Sequence, residues 1–195
     1  FSLDSWYYMR IGDLDSAMKM AREVIAHSPR NPEGYRLAAE IAGRKGDYKG
    51  AIDNLKQAIR LRPESTELRR DLAEICVKAG DYRLAIEQYW RCWELSDTVG
   101  DKLSLIGPLS DAYYDMGRGG ELEEKLRGMA RAEPTDVTPA LALAELYRIR
   151  GDLLSARDQL RHALDQKPND PDLLDRLVDV CLSLADMEGA LEYQR

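Results

Sequence analysis

The chain has 195 residues, 44% of them hydrophobic and 32% charged, and its formal net charge is −7. That mixture supplies a stacked apolar core and excludes a disordered or fibrous composition. Net acidity argues against general nucleic-acid binding, which needs basic surface to neutralise phosphates. No apolar run reaches the length of a membrane span and no signal peptide is recognised, so no direct membrane insertion is expected of this segment.

Read from the N-terminus, the first predicted element is a helix with Tyr8 on its apolar face, halted at Gly12-Asp13. A second helix carrying Ala17 and Ala21 follows and stops at Pro29, since proline cannot continue a helix. The next helix presents Ala38, Ala39 and Ala42 before Gly46-Asp47, and its partner carries Ala51 and Leu55 and stops at Pro63. The third pair holds Leu72, Ala73 and Cys76 before Gly80-Asp81, then Ala85 and Tyr89. Gly107-Pro108 interrupts the pattern after that, where a proline bends or restarts the helix. Leu109, Ser110 and Tyr113 lead to Gly117-Arg118, with Leu122, Leu126 and the stop at Pro134 beyond. Leu143, Ala144 and Tyr147 precede Gly151-Asp152, with Ala156, Leu160 and Pro168 after it. Asp170-Pro171 reads as a cap and a first-turn proline opening a last pair. In that pair Leu177, Val178 and Cys181 stand before Ala185-Asp186, and Ala190 after it.

These six beats, at residues 12, 46, 80, 117, 151 and 185, are 34, 34, 37, 34 and 34 residues apart. Apolar residues spaced by three and four on each side of a beat make one face of a helix. A period of this length means stacked supersecondary units that cannot bury their apolar faces alone. The glycine suits a left-handed helix end. The aspartate caps the N-terminus of the next helix, where the dipole also favours negative charge. Each unit is a helix hairpin.

The pattern resembles the tetratricopeptide repeat over essentially the whole chain. By that resemblance the full units are 32–65, 66–99, 103–136 and 137–170, with partial units at 1–31 and 171–195, forming a single array over 1–195. It implies an all-α, right-handed superhelical solenoid of antiparallel helix pairs, with first helices lining a concave groove and second helices on the convex back. Members of the family typically bind peptides or other proteins and carry no catalysis of their own. The chain reads as cut from something longer, because it starts without Met inside an incomplete helix and stops at Arg195 partway along another.

No chemistry competes with that reading. The odd count of three cysteines is not a disulfide framework. Cys76 and Cys181 take the repeat position of Ala42 and Tyr147, and Cys92 that of Ala58 and Ala163, as small apolar packers. Reduced thiols fit the cytoplasm and are compatible with the periplasm. His27 and His162 have no recurring partner, and Gly117-Arg118-Gly119-Gly120 lacks the ending of a phosphate-binding loop. No enzyme activity, cofactor or metal is expected.

One row of residues does suggest a site. Six residues before each beat stand Glu40, Glu74, Asp111, Glu145 and Asp179, with Trp6 in the first unit. By the resemblance, this place on the first helix faces the ligand groove. A ladder of carboxylates there would favour Lys- or Arg-bearing segments. Against it, Arg36, Glu40 and Arg44 are spaced for intrahelical ion pairs, as are Arg70, Glu74 and Lys78. Around Asp111, Glu145 and Asp179 that compensation fades, with Arg148 and Arg176 as the nearby cations. The clamp of Lys, Asn, Asn, Lys and Arg that grips acidic chaperone tails in the family is not met. Its places from residue 32 hold Arg36, Glu40, Asp71, Ser104 and Pro108.

Two functional classes result. The first is a scaffold that binds a protein or peptide segment, basic or of mixed charge, through Arg36, Glu40, Arg70, Glu74, Asp111, Tyr114, Glu145 and Asp179. The second is an architectural spacer or self-associating arm of a larger, membrane-linked or enzymatic protein, with homo-oligomerisation open. Trp93 is expected in the core. Trp90, off the apolar face, is expected as a convex contact, since Trp is enriched at interaction hot spots.

Overall fold

The structure, a computed structural model, describes residues 2–193, and every regular element among them is an α-helix. The chain divides into two compact units at the Leu95–Ser96 bond.

The N-terminal unit contains three hairpins: α1 (Ser2–Ile11) with α2 (Leu14–His27), α3 (Pro32–Arg44) with α4 (Tyr48–Leu61), and α5 (Thr66–Ala79) with α6 (Tyr82–Leu95). Each helix packs on the next in sequence. The C-terminal unit begins with the short α7 (Val99–Leu103), then pairs α8 (Ile106–Asp115) with α9 (Gly119–Ala132), α10 (Thr138–Ile149) with α11 (Leu153–Gln166), and α12 (Pro171–Ser183) with α13 (Met187–Tyr193). Here α10 is central, touching α7, α8, α9 and α11.

The turn chemistry explains why the hairpins repeat. Gly80 ends α5 at φ 77°, in the left-handed region that a side chain resists, and Asp81 N–H then donates to the Cys76 carbonyl at 2.9 Å. The same bond joins Asp13 to Tyr8, Asp47 to Ala42, Arg118 to Tyr113, Asp152 to Tyr147 and Asp186 to Cys181. The aspartates of five turns also cap the following helix, accepting from Ser16, Gly50, Leu84, Ser155 and Gly189 N–H groups. Arg118 has no such cap and is held by Glu121 instead.

Five residues past each beat, Ala17, Ala51, Ala85, Leu122, Ala156 and Ala190 are buried, mostly small side chains that let paired backbones approach closely. Larger apolar residues such as Ile41, Leu72, Leu109, Leu143 and Leu177 fill the layers between them. All three cysteines are buried and none forms a disulfide. Burial, with the Asp81 charge behind it, pushes the Cys76 thiol up to about 11.

At Gly107-Pro108 the helix restarts. The break lies before the proline, at Ser104-Leu105, and Pro108 falls in the first turn of α8, where its missing N–H would have had no helical partner. Leu105 and Ile106 are buried at the restart.

Candidate functional site

The predicted row lies on the first helices, and the structure brings four of its members into two separate depressions, one within each unit: Glu40 with Glu74, and Glu145 with Asp179. In the N-terminal unit, α3 and α5 with Leu55 of α4 enclose a cavity of about 340 Å³. Its walls carry Arg36, Glu40, Arg44, Asp71, Glu74 and Lys78 over a floor that includes Ala39, Leu55 and Ile75.

The ion pairs in it differ from the predicted ladder of four-residue steps. Glu40 takes Arg44 at 2.9 Å, as expected. Arg36 turns instead to Glu33 at 3.0 Å and reaches the next hairpin, meeting Glu67 at 2.8 Å and Asp71 at 3.8 Å. Burial, with Glu67, Glu74 and Glu40 adding repulsion, raises the Asp71 carboxyl above its ordinary value despite the Arg36 charge. Arg70 is on α5 but does not line this depression.

In the C-terminal unit, α10 and α12 with Leu160 of α11 enclose about 420 Å³. Glu145, Arg148, Arg176 and Asp179 stand over Leu141, Ala144 and Val180. Arg148 grips Glu145 with two parallel bonds of 2.8 and 2.7 Å, the geometry that makes arginine–carboxylate pairs strong. That grip, helped by Arg176 and opposed by burial, holds Glu145 below the usual carboxylate range. The compensation expected to fade in this half is therefore present. The depression has mixed charge.

Asp111 and Tyr114 are on α8, both exposed, Tyr114 by 78%, and neither lines a depression. Trp6 is exposed on α1, with the Arg10 guanidinium over its ring at 5.2 Å. Trp93 is buried, as expected. Trp90 is only 7% exposed and packs edge-to-face on Trp93 at 5.6 Å, which corrects its reading as an open convex contact.

Two members entered the sequence reading only as an unmet clamp position, Asp71, and as a nearby cation, Arg176. Asp71 and Arg176 each stand nine residues before a beat, and each faces the preceding hairpin's row residue, Glu40 or Glu145. The signal was a second row on the first helices, out of phase with the first by three residues.

Sequence models of the tetratricopeptide repeat match residues 5–53 and 44–89. No curated protein matches the sequence. Among solved structures, MamA is similar at 20% identity, over 86% of this chain and 96% of that one, with a TM-score of 0.55. PilW, described as a widely conserved type IV pilus biogenesis factor, is similar at 18% identity, over 98% and 88%, with a TM-score of 0.54. A tetratricopeptide repeat protein from Parabacteroides merdae ATCC 43184 is similar at 17% identity, over 97% and 74%, also with 0.54. These likenesses are of fold. With repeat matches running from residue 5 to 89, and the same turn and hairpin recurring beyond them, the chain belongs to the tetratricopeptide-repeat family, whose helical arrays are generally non-catalytic scaffolds for protein interaction.

Proposed function

We propose that the chain captures an extended segment of a partner protein, of mixed charge, in the depressions along its first helices. The observation that carries this reading is the combination found in both places. Each depression sets acidic and basic side chains over an apolar floor, the exposed Glu40, Glu74 and Lys78 in one and the half-buried Glu145 with the exposed Arg148 and Asp179 in the other. Apolar floors supply affinity, and opposed charges fix register and reject wrong partners. Capture of a single short segment corresponds to about −8 kcal/mol, a micromolar complex.

Selection of a random peptide library against the 195-residue protein tests it. Enriched peptides should carry cations beside apolar residues, and E145K/D179K should weaken a C-terminal-unit binder at least about tenfold. Failure to enrich any peptide, or binding indifferent to that reversal and to the matching E40K/E74K, would favour the architectural reading instead.

A further inference from the structure

Arg69 of α5 stands six residues after Pro63 and ties down two acceptors at once. Its Nε and Nη2 donate to the Pro63 carbonyl at 3.0 and 2.7 Å, and its Nη1 donates to Gln88 Oε1 at 3.0 Å. One hairpin earlier the same place holds Tyr35, whose hydroxyl donates to the Pro29 carbonyl at 3.2 Å. In both hairpins a long side chain with a donor at its tip closes the loop that ends the preceding second helix.

In the C-terminal unit the sixth residue after Pro134 is Ala140, which has nothing beyond its Cβ. There a cavity of about 460 Å³ lies open among α9, α10 and α11, lined by Pro134, Ala140 and Gln159. Gln159 follows Gly151 by eight residues, as Gln88 follows Gly80. The cavity is thus lined by the counterparts of both residues that Arg69 engages, with alanine in the place of Arg69 itself. None of its lining residues belongs to the charge-paired depressions.

We propose that this cavity receives the guanidinium of an arginine carried by a partner protein, which takes the place that Arg69 fills internally. The planar fork matches two acceptors, whereas a tyrosine hydroxyl engages one, and the retained glutamine therefore selects arginine. Val137 and Leu143 offer apolar wall to the methylene stem. Arg127 and Arg131 in the lining do not exclude a cation, because the equivalent repeat positions before Arg69 also hold cations, Lys56 and Arg60, and Asp136 adds a carboxylate. The proposal stands independently of the segment-binding reading.

The test titrates N-acetyl-L-arginine N-methylamide into the isotope-labelled protein through the millimolar range and follows amide resonances. The Gln159 side-chain amide and the backbone amides of Val137 and Ala140 should shift. The lysine and citrulline counterparts should bind at least about fivefold more weakly. Gln159→Ala should weaken the arginine compound about tenfold, and Ala140→Arg, an internal copy of the Arg69 plug, should abolish its binding. Gln159 is a partly exposed side chain, so its variant decides the matter if Ala140→Arg does not fold. Equal binding of the lysine compound, absence of shifts at these three residues, or undiminished binding in Gln159→Ala would overturn the proposal. Self-association of the protein that Ala140→Arg removes would overturn its assignment to a separate partner.

Discussion

The backbone N–H of Asp186 reaches the Cys181 carbonyl at 2.9 Å by turning around Ala185 at φ 59°, the one beat of six where this left-handed residue is not glycine. A left-handed alanine costs roughly 1–2 kcal/mol, partly offset by its smaller freedom when unfolded. Ala185→Gly should therefore stabilise the last hairpin by about 0.5–1 kcal/mol. Slower amide exchange in α12 and α13 would register it, and unchanged or faster exchange would count against the strained turn.

Carboxylates titrate in opposite senses in the two depressions. Glu145 has a lowered folded pKa, so its pair with Arg148 contributes stability above the ordinary glutamate value and loses it as pH falls through the folded one. The caps Asp13 and Asp152, lowered by their bonds to Ser16 and Ser155, behave alike. Asp71, raised chiefly by burial, opposes folding once ionised and is relieved as pH falls through its elevated value. Carboxyl-carbon NMR titration should place Asp71 above and Glu145 below their unfolded values, and Arg148→Ala should move Glu145 upward. A reversed order would refute the ion-pair assignment.

Cys76 should be nearly inert. With a thiol pKa of about 11, only about 0.1% is thiolate at pH 8, and the sulfur is fully buried besides. Native protein should react with a thiol reagent at least about 100-fold more slowly than denatured protein. Fast labelling of Cys76 in the native state would contradict its place in the core.

Trp90→Ala should cost about 3 kcal/mol, the scale of a buried aromatic, where a surface tryptophan would cost about 0.5 or less. Urea unfolding separates the two. A loss near the lower figure would restore the exposed reading.

The hairpins were legible because their signals are local: a glycine, an aspartate and a proline at fixed offsets each act through backbone bonds within a few residues. The position of Trp90 was not. Its place in the repeat holds Arg22, Lys56, Arg127 and Arg161 elsewhere, all suited to a surface, so periodicity pointed outward while a large ring found cover beside Trp93. Charge pairing was only half legible. Spacing predicts partners along one helix, as for Glu40 and Arg44, but Arg36 chose Glu67 and Asp71 across hairpins, a choice set by stacking. The arginine-shaped vacancy at Ala140 was unreadable for a similar reason, since a missing side chain matters only when the bonds made by its counterpart are known.

Amide chemical-shift mapping of a library-selected peptide on the isotope-labelled protein decides whether the depressions on the first helices hold the bound segment. Shifts should concentrate on Glu40, Gly43, Asp71 and Glu74 of α3 and α5, or on Ala144, Glu145, Asp179 and Ser183 of α10 and α12. Shifts confined to the second helices α4, α6, α9 and α11, with both sets silent, would contradict that placement.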